Sequence, residues 1–118
     1  MSIYSAPELG KNQANFAPLT PVSVLKRTER VYPDLPAQIH GSIRRNWGEV
    51  AERCKLLASA LSKRGVGKGD TVALIAPNIP EALECALAIP MLGAVLNANN
   101  VRLDAATLGF ILEHGEAK

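Results

Sequence analysis

The sequence predicts an α/β fold built on a parallel sheet, and three observations lead to this prediction. Residues 71–76 (TVALIA) form a short apolar run of the kind found in a strand that is covered on both faces. Residues 82–92 follow with Glu84 as their single charge, which is typical of a helix buried on more than one side. After Gly93, a second apolar run covers residues 94–96. Strand, helix and strand in this order form a βαβ unit, so the two strands are expected to be parallel.

Composition excludes several classes of protein. A chain of 118 residues with 47% hydrophobic residues is enough for one ordinary domain. A net charge of +2 and 4% aromatic residues do not resemble a nucleic-acid-binding surface. The N-terminus lacks an apolar signal core, and no run approaches the roughly 20 apolar residues of a membrane span. We therefore predict a cytoplasmic protein that has no membrane span. Cys54 and Cys85 lie on predicted apolar helix faces, which favours free thiols.

The first part of the chain divides into an arm and a helix. Residues 1–19 mix Ser, Pro, Gly, Asn and Gln without a period, which predicts an irregular N-terminal arm. Thr20 followed by Pro21 is a helix start, with an N-cap residue and a proline in the first turn. This helix is expected to end at Pro33.

A short hairpin is predicted next. Residues 37–40 and 43–45 are short segments separated by a Gly-Ser pair, which is typical of a two-residue turn. Because polar residues alternate along both segments, we expect a small ribbon at the margin of the sheet. Arg44 and Arg45 are interpreted as a solvated face, and an acidic partner for them stays open as the alternative.

The clearest amphipathic helix begins at Asn46, since Glu49 stands three residues later as the partner of a capping box. Glu49 and Arg53 also have the spacing of an ion pair along a helix, and Gly65 ends the pattern. The apolar face of this helix is expected to cover the sheet and consists of Trp47, Val50, Ala51, Cys54, Leu57, Ala58 and Leu61.

The glycine-rich stretch at residues 65–70 (GVGKGD) superficially resembles a phosphate-binding loop. Such a loop needs its Lys followed by Ser or Thr, and it leads from a strand into a helix. Here the order is reversed, because the glycines follow a helix and precede a strand. We therefore interpret them as a helix stop and turn.

The charged and polar residues of the apolar helix receive structural interpretations. Asn78 is predicted to be its N-cap, with Pro80 in the first turn and Glu81 closing a capping box. Glu84 is assigned to solubility.

A last helix is predicted from Asp104, as N-cap, to His114. Neither His114 nor His40 has a partner at catalytic or metal-ligand spacing. This helix should lead into another parallel strand, but only residues 116–118 follow, so we expect an incomplete sheet and an incomplete domain.

The segment at residues 97–102 is the strongest candidate for a ligand site. It is expected just past the carboxyl end of a parallel strand, where open α/β sheets bind ligands, and it carries three amides and a guanidinium. The alternative is a polar turn in which the Asn residues accept left-handed geometry and cap their neighbours. Both interpretations stay open from the residues alone.

From residue 20 onward, several motifs follow one another at characteristic spacing. They are an opening helix with a proline turn at residues 20–37, the helix start NWGE at 46–49, the pattern RxxxLAxxLxxxGVxxGD at 53–70, APN at 76–78, and RLD at 102–104 before ILEHGEAK. In this order they resemble the N-terminal part of the AMP-forming acyl-CoA synthetases, members of the adenylate-forming superfamily. The resemblance leans toward ligases of fatty or medium-chain acids.

The resemblance implies a two-step reaction that uses ATP, Mg²⁺ and coenzyme A (CoA). A carboxylate attacks the α-phosphate of ATP to give an acyl-adenylate and pyrophosphate, and the CoA thiol then displaces AMP. Residues 20–118 would be the N-terminal part of the large AMP-binding domain, ending before its phosphate-binding loop. No catalytic or metal-binding residue is therefore assigned to this chain, and the 118-residue chain alone is expected to be inactive.

The resemblance also implies partners and one candidate binding segment. Asn99, Asn100 and Val101 match a turn that can face the CoA nucleotide, with Arg102 as a phosphate contact. The partners would be the remainder of the same enzyme, the carboxylic acid, ATP and CoA, and association into a homo-oligomer stays open. The alternative function is a noncatalytic association module that pairs its open sheet edge with another subunit.

Overall fold

The computed structural model describes residues 7–118, which contain four α-helices and four β-strands. Residues 7–19 form a short 3-10 helix at Pro7–Leu9 followed by exposed turns and loops, while residues 1–6 of the predicted arm lie outside the described part. The elements are α1 (Pro21–Val31), β1 (Pro36–His40), β2 (Ile43–Asn46), α2 (Trp47–Lys63), β3 (Thr71–Ile75), α3 (Pro80–Met91), β4 (Val95–Asn99) and α4 (Ala105–His114).

The predicted βαβ unit is confirmed. Strands β3 and β4 pair in parallel, from Thr71 opposite Val95 to Ile75 opposite Asn99, and α3 connects them. Strand β4 is longer than the apolar run indicated, because backbone pairing with β3 continues through two asparagines. Pairing to a neighbouring strand thus overrides the low β-propensity of Asn.

The residues that follow α4 pair with the edge of β3 that does not face β4. Ala117 forms a parallel bridge with Thr71, and the backbone N–H of Lys118 donates to the Thr71 carbonyl at 2.9 Å. The Lys118 ammonium also donates to the Asp70 carboxylate at 3.1 Å and to the Gly65 carbonyl at 3.0 Å. The chain therefore returns in parallel to the sheet after α4, as predicted, and it does so on the edge of β3 opposite β4, which the sequence did not indicate.

The main core lies between α1, α2 and α3, and most of its residues are small. The prediction that the apolar face of α2 covers the parallel sheet is wrong, because α3 packs on β3 and β4 and α2 packs on α1, α3 and the hairpin. Small side chains let the backbones of α2 and α3 approach closely. Ile89 of α3 is only 1% exposed but lies outside this cluster, so α3 is buried on more than one side, as predicted. The core cluster consists of Leu25, Val50, Ala51, Cys54, Ala58 and Ala88.

Both cysteines are free thiols, as predicted. Cys54 is fully buried, and this burial raises the pKa of its thiol to about 11. Burial also raises the pKa of the Cys85 thiol. Both groups therefore stay protonated near neutral pH and serve as packing residues.

Helix starts follow the predicted caps with one exception. Thr20 and Ser23 cap α1 reciprocally, and Asn46 and Glu49 do the same for α2. Asp104 caps the start of α4 by accepting the Thr107 hydroxyl at 2.7 Å and the Thr107 backbone N–H at 3.0 Å. The hydroxyl hydrogen bond, followed by the backbone one, lowers the pKa of the Asp104 carboxyl.

The predicted capping box of α3 is wrong. Its N-cap is Ile79, which has no side-chain hydrogen bond to the helix, so Asn78 lies one residue too early. The cause is a tight turn in which the Ile79 N–H donates to the Pro77 carbonyl at 2.8 Å, so that the helix begins only at Pro80.

The glycine-rich stretch is the helix stop and turn that the sequence predicted. Gly65 and Gly69 have φ of +85° and +86°, a region that favours glycine. The Gly67 N–H donates to the Asp70 carboxylate at 2.7 Å, which lowers the pKa of Asp70 with a further contribution from Lys118. The Gly69 N–H donates to the Gly93 carbonyl, and the N–H groups of Gly65, Val66 and Asp70 also donate to backbone carbonyls, so most donors of this loop already have partners within the protein.

The hairpin is confirmed, but its predicted place at the margin of the parallel sheet is wrong, because β1 and β2 pair with each other and not with β3 or β4. Strands β1 and β2 form an antiparallel two-stranded sheet of their own, with Gly41 at φ +54° in the turn, and the hairpin packs on α2.

Within residues 7–118, no helix has the length and apolar character that crossing a bilayer requires.

Candidate ligand-binding site

A cavity of about 550 Å³ opens at the carboxyl ends of β3 and β4. Its walls come from both strands, from the first half of α3, from the loop that precedes α3 and from the turn that follows β4. Apolar side chains form much of the lining, and three asparagines and one arginine supply its polar groups. The lining residues are Leu74, Ala76, Pro77, Asn78, Ala82, Ala86, Leu96, Ala98, Asn99, Asn100, Val101 and Arg102.

The structure brings the four predicted site residues to this one cavity, since Asn99, Asn100, Val101 and Arg102 all line it. The turn begins later than the sequence indicated, because Asn99 is the last residue of β4. Asn100 then accepts the Arg102 backbone N–H on its side-chain oxygen at 2.9 Å. This contact is a local Asx turn, so Asn100 caps its neighbour as the structural interpretation expected. The left-handed geometry that this interpretation also expected is absent, because no asparagine of residues 97–102 has a positive φ.

Arg102 is exposed, and no carboxylate within residues 7–118 forms an ion pair with its guanidinium. A guanidinium presents several N–H donors in a planar fork that matches phosphate oxygens. Arg102 is therefore the best-placed group at this cavity for binding an anion.

The asparagines of β4 support the floor of the cavity. Asn99 is only 9% exposed, and its side-chain amide donates to the backbone carbonyl of Asn97 at 3.0 Å and to the side-chain oxygen of Asn97 at 3.2 Å. A Cβ at Gly115 would lie 2.7 Å from the Asn97 amide nitrogen, so the end of α4 needs a glycine there. Asn97 thus lies close against Gly115 at the end of α4 and Asn99 bonds within its own strand, while Asn100 and Arg102 stand at the rim.

A buried ion cluster that the sequence did not reveal lies behind the cavity on the other side of α3. Glu84 is only 4% exposed, and one of its carboxylate oxygens accepts from Arg45 at 2.8 Å and from Arg53 at 2.7 Å. Glu81 lies one turn earlier, half exposed and 3.8 Å from both arginines. The contact with Glu84 holds the pKa of Arg53 above its ordinary value.

Three predictions about these charges are therefore wrong. Glu84 is a buried ion-pair partner, Arg45 is mostly buried, and Arg53 pairs with Glu84 where a pair with Glu49 was expected. Arg44 alone is solvated, as predicted. The available signal was the single charge on an otherwise apolar helix, since a charge at a buried position needs a partner.

The histidines and the metal-binding residue types do not form a second site in the described part of the chain. His40 is exposed on β1, and His114 stacks on Phe110 with ring centroids 5.4 Å apart. Across residues 7–118, no three His, Cys, Asp or Glu side chains come close enough to hold a metal ion.

Comparison with known proteins identifies the family. The profile of the AMP-binding enzymes matches residues 25–118. The chain belongs to the AMP-binding enzyme family. Its membership agrees with the resemblance drawn from the motifs between residues 20 and 118.

Relatives in the AMP-binding family are CoA ligases of several kinds. The acetate–CoA ligase CCL3 of Humulus lupulus is 46% identical over 110 residues, which cover 93% of this chain and 19% of that protein. The peroxisomal acetate/butyrate–CoA ligase AAE7 of Arabidopsis thaliana matches equally. The peroxisomal trans-cinnamate:CoA ligase of Petunia hybrida is 42% identical over 94% of this chain and 20% of its own length. The chain thus spans about a fifth of these relatives.

Solved structures of family members share the fold. A Rhodopseudomonas palustris protein named as a long-chain-fatty-acid CoA ligase superposes with a TM-score of 0.80 and 32% identity, covering 84% of this chain and 25% of that one. The N-terminal subdomain of Klebsiella oxytoca NpsA superposes with a TM-score of 0.77 and 28% sequence identity, covering 83% of this chain and 26% of that one. The predicted α/β subdomain of an adenylate-forming enzyme is therefore confirmed.

Proposed function

We propose that this chain is the N-terminal portion of an ATP-dependent, AMP-forming acyl-CoA synthetase. The observation that carries the proposal is the 46% identity, over 93% of the chain, to two ligases that join small carboxylic acids to CoA. The reaction activates the acid as an acyl-adenylate and then transfers the acyl group to the CoA thiol.

The acid is proposed to be a fatty or medium-chain acid. Relatives named for acetate, butyrate and 2-methylpropanoate support an aliphatic substrate. Other relatives are named for trans-cinnamate and benzoate, so aromatic acids are the competing outcome of a substrate screen.

Within this portion, the cavity at the ends of β3 and β4 is proposed to contact the CoA nucleotide. Arg102 supplies a cation for a phosphate group, Asn100 and Asn78 supply exposed amides, and the apolar floor offers a surface for a base. Magnesium does not fit this cavity, because its lining includes no carboxylate and Mg²⁺ is usually held by one or two carboxylates together with substrate phosphates. Binding of the ATP phosphates with Mg²⁺ is therefore assigned to the remainder of the enzyme.

Location and assembly are part of the proposal. The composition of the chain supports a cytoplasmic enzyme, although several relatives are named as peroxisomal. Exposed apolar side chains of the described part, such as Leu19 and Phe110, are candidate contacts for a homo-oligomer or for the remainder of the enzyme.

The experiment that tests the site is the replacement Arg102→Ala in the enzyme that contains this chain. We expect the KM for CoA to rise about ten-fold or more, because a charged hydrogen bond to phosphate contributes about 1.5–3 kcal/mol. Acid-dependent exchange of pyrophosphate into ATP, which precedes CoA binding, should change less than about two-fold.

Arg44→Ala is the matched control, because Arg44 is exposed and its guanidinium donates only to the Gly41 and Ile43 carbonyls of its own hairpin. It should leave both measurements unchanged. If Arg102→Ala impairs CoA binding and acid-dependent pyrophosphate exchange by the same factor, the turn has only a structural role.

A further inference from the structure

One wall of the ligand cavity stands between two open spaces. Pro77 and Asn78 line the cavity on one side, and Asn78, with Ile79 and Pro80, lines a groove of about 350 Å³ against β1 on the other. Packing alone therefore leaves this loop room to move toward either space. Its position must depend on its hydrogen bonds.

Few hydrogen bonds hold the loop. The Ile79 N–H donates to the Pro77 carbonyl and the Ala82 N–H donates to the Ile79 carbonyl, but both contacts lie within the segment itself. The N-cap residue of α3 makes no side-chain bond to the helix. A hydrogen bond between this loop and the rest of the fold must therefore come from another element.

Gln38 of β1 provides such a tie across 42 residues of sequence. It is only 5% exposed, and its side-chain Nε2 donates to the Pro80 carbonyl at 3.1 Å. Its Oε1 accepts from Arg45 at 3.2 Å, and Arg45 in turn pairs with buried Glu84. Since Arg45 occupies its oxygen, the Gln38 amide is oriented with its nitrogen toward the loop.

We propose that Gln38 is a positioning residue for the ligand cavity. By holding the first residue of α3, it fixes the Pro77–Asn78 wall without touching the ligand. The inference rests on the proposed function, because the ligand of this cavity is taken to be the CoA nucleotide. It predicts that weakening one bond on the far side of the loop impairs CoA binding and spares the acid-activation step.

The selective test is Gln38→Glu in the full enzyme. The carboxylate is nearly isosteric and still accepts from Arg45, but it lacks the donor for the Pro80 carbonyl. We expect the KM for CoA to rise about five- to ten-fold, the effect of losing roughly one hydrogen bond. We expect kcat and acid-dependent pyrophosphate exchange to change less than about two-fold.

Arg44→Gln is the control on the same hairpin, because the hydrogen bonds of the Arg44 guanidinium within residues 7–118 go to the Gly41 and Ile43 carbonyls of its own turn. Its KM for CoA should equal that of the unmodified enzyme. If the buried carboxylate of Gln38→Glu prevents folding, Gln38→Met keeps the length of the side chain without a donor and repeats the test.

Hydrogen exchange separates this inference from the proposed function. The amides of Ile79 and Ala82 should exchange about ten-fold faster in Gln38→Glu than in Arg44→Gln, whether or not the enzyme is active. Unchanged exchange, or an unchanged KM for CoA in an active enzyme, would overturn the positioning role. An unmodified enzyme that forms no acyl-CoA would instead overturn the proposed function, and exchange would still decide whether Gln38 holds the loop.

Discussion

Replacing Glu84 by leucine is expected to lower the free energy of unfolding of the chain by about 3 kcal/mol. Glu84 is the carboxylate on which Arg45 and Arg53 converge, and the side chain of Arg45 is itself only 17% exposed. Removing Glu84 leaves a mostly buried guanidinium without its strongest partner. The cost of an uncompensated buried charge exceeds what the added leucine surface returns.

Glu81→Leu is the matched control for this prediction, because Glu81 lies one turn away on α3 and faces the same two arginines. Its side chain is 50% exposed and its contacts are 3.8 Å long. A half-exposed pair of this kind contributes about 0–1 kcal/mol. Urea unfolding should show a much larger fall in midpoint for Glu84→Leu, and similar falls for both variants would contradict the central role of Glu84.

Ile89→Ala is expected to have a comparable effect, with a loss of about 2–5 kcal/mol in the free energy of unfolding. Ile89 is 1% exposed on α3, the helix that packs against both α2 and the β3–β4 sheet. Truncation removes buried apolar surface and leaves a cavity that the flanking strands cannot fill without moving.

The control for the cavity is Leu56→Ala on α2, because Leu56 is 62% exposed. A substitution at such a surface position should change the unfolding free energy by less than about 0.5 kcal/mol. Thermal and urea unfolding of the two variants should therefore differ clearly. An Ile89→Ala variant as stable as Leu56→Ala would show that α3 does not pack closely on the sheet.

Much of the fold could be predicted because its signals are local. The reciprocal bonds of Asn46 and Glu49 lie within one helical turn, and the glycine stop at Gly65 is a property of one residue. The βαβ unit needed only two apolar runs around an apolar helix. The predicted N-cap of α3 was wrong by one residue, because a tight turn at Pro77 delays the start of the helix to Pro80.

The buried ion cluster could not be predicted in the same way. Arg45 and Arg53 lie 39 and 31 residues from Glu84, and nothing in the intervening sequence specifies that these side chains meet. The tie from Gln38 to the Pro80 carbonyl spans 42 residues and depends on how the hairpin packs. Contacts of this kind follow from tertiary packing, which local pattern does not encode.

The candidate site lies between these two cases. A general rule for parallel sheets places ligands at the carboxyl ends of strands, and this rule led to residues 97–102. The structure adds the cavity and the opposite wall at Pro77 and Asn78, which the sequence did not indicate. The structure also gives the asparagines different roles, because Asn99 donates hydrogen bonds within β4 and Asn100 lies exposed at the rim of the cavity.

The most direct test of the account is a screen of the full-length enzyme with short, medium, long and aromatic carboxylic acids in the presence of ATP, Mg²⁺ and CoA. AMP, pyrophosphate and acyl-CoA should be quantified together for each acid. We expect at least one acid to yield acyl-CoA and AMP in equal amounts, with fatty or medium-chain acids preferred. Release of ADP and phosphate, or no acid-dependent formation of a CoA thioester with any acid, would contradict it.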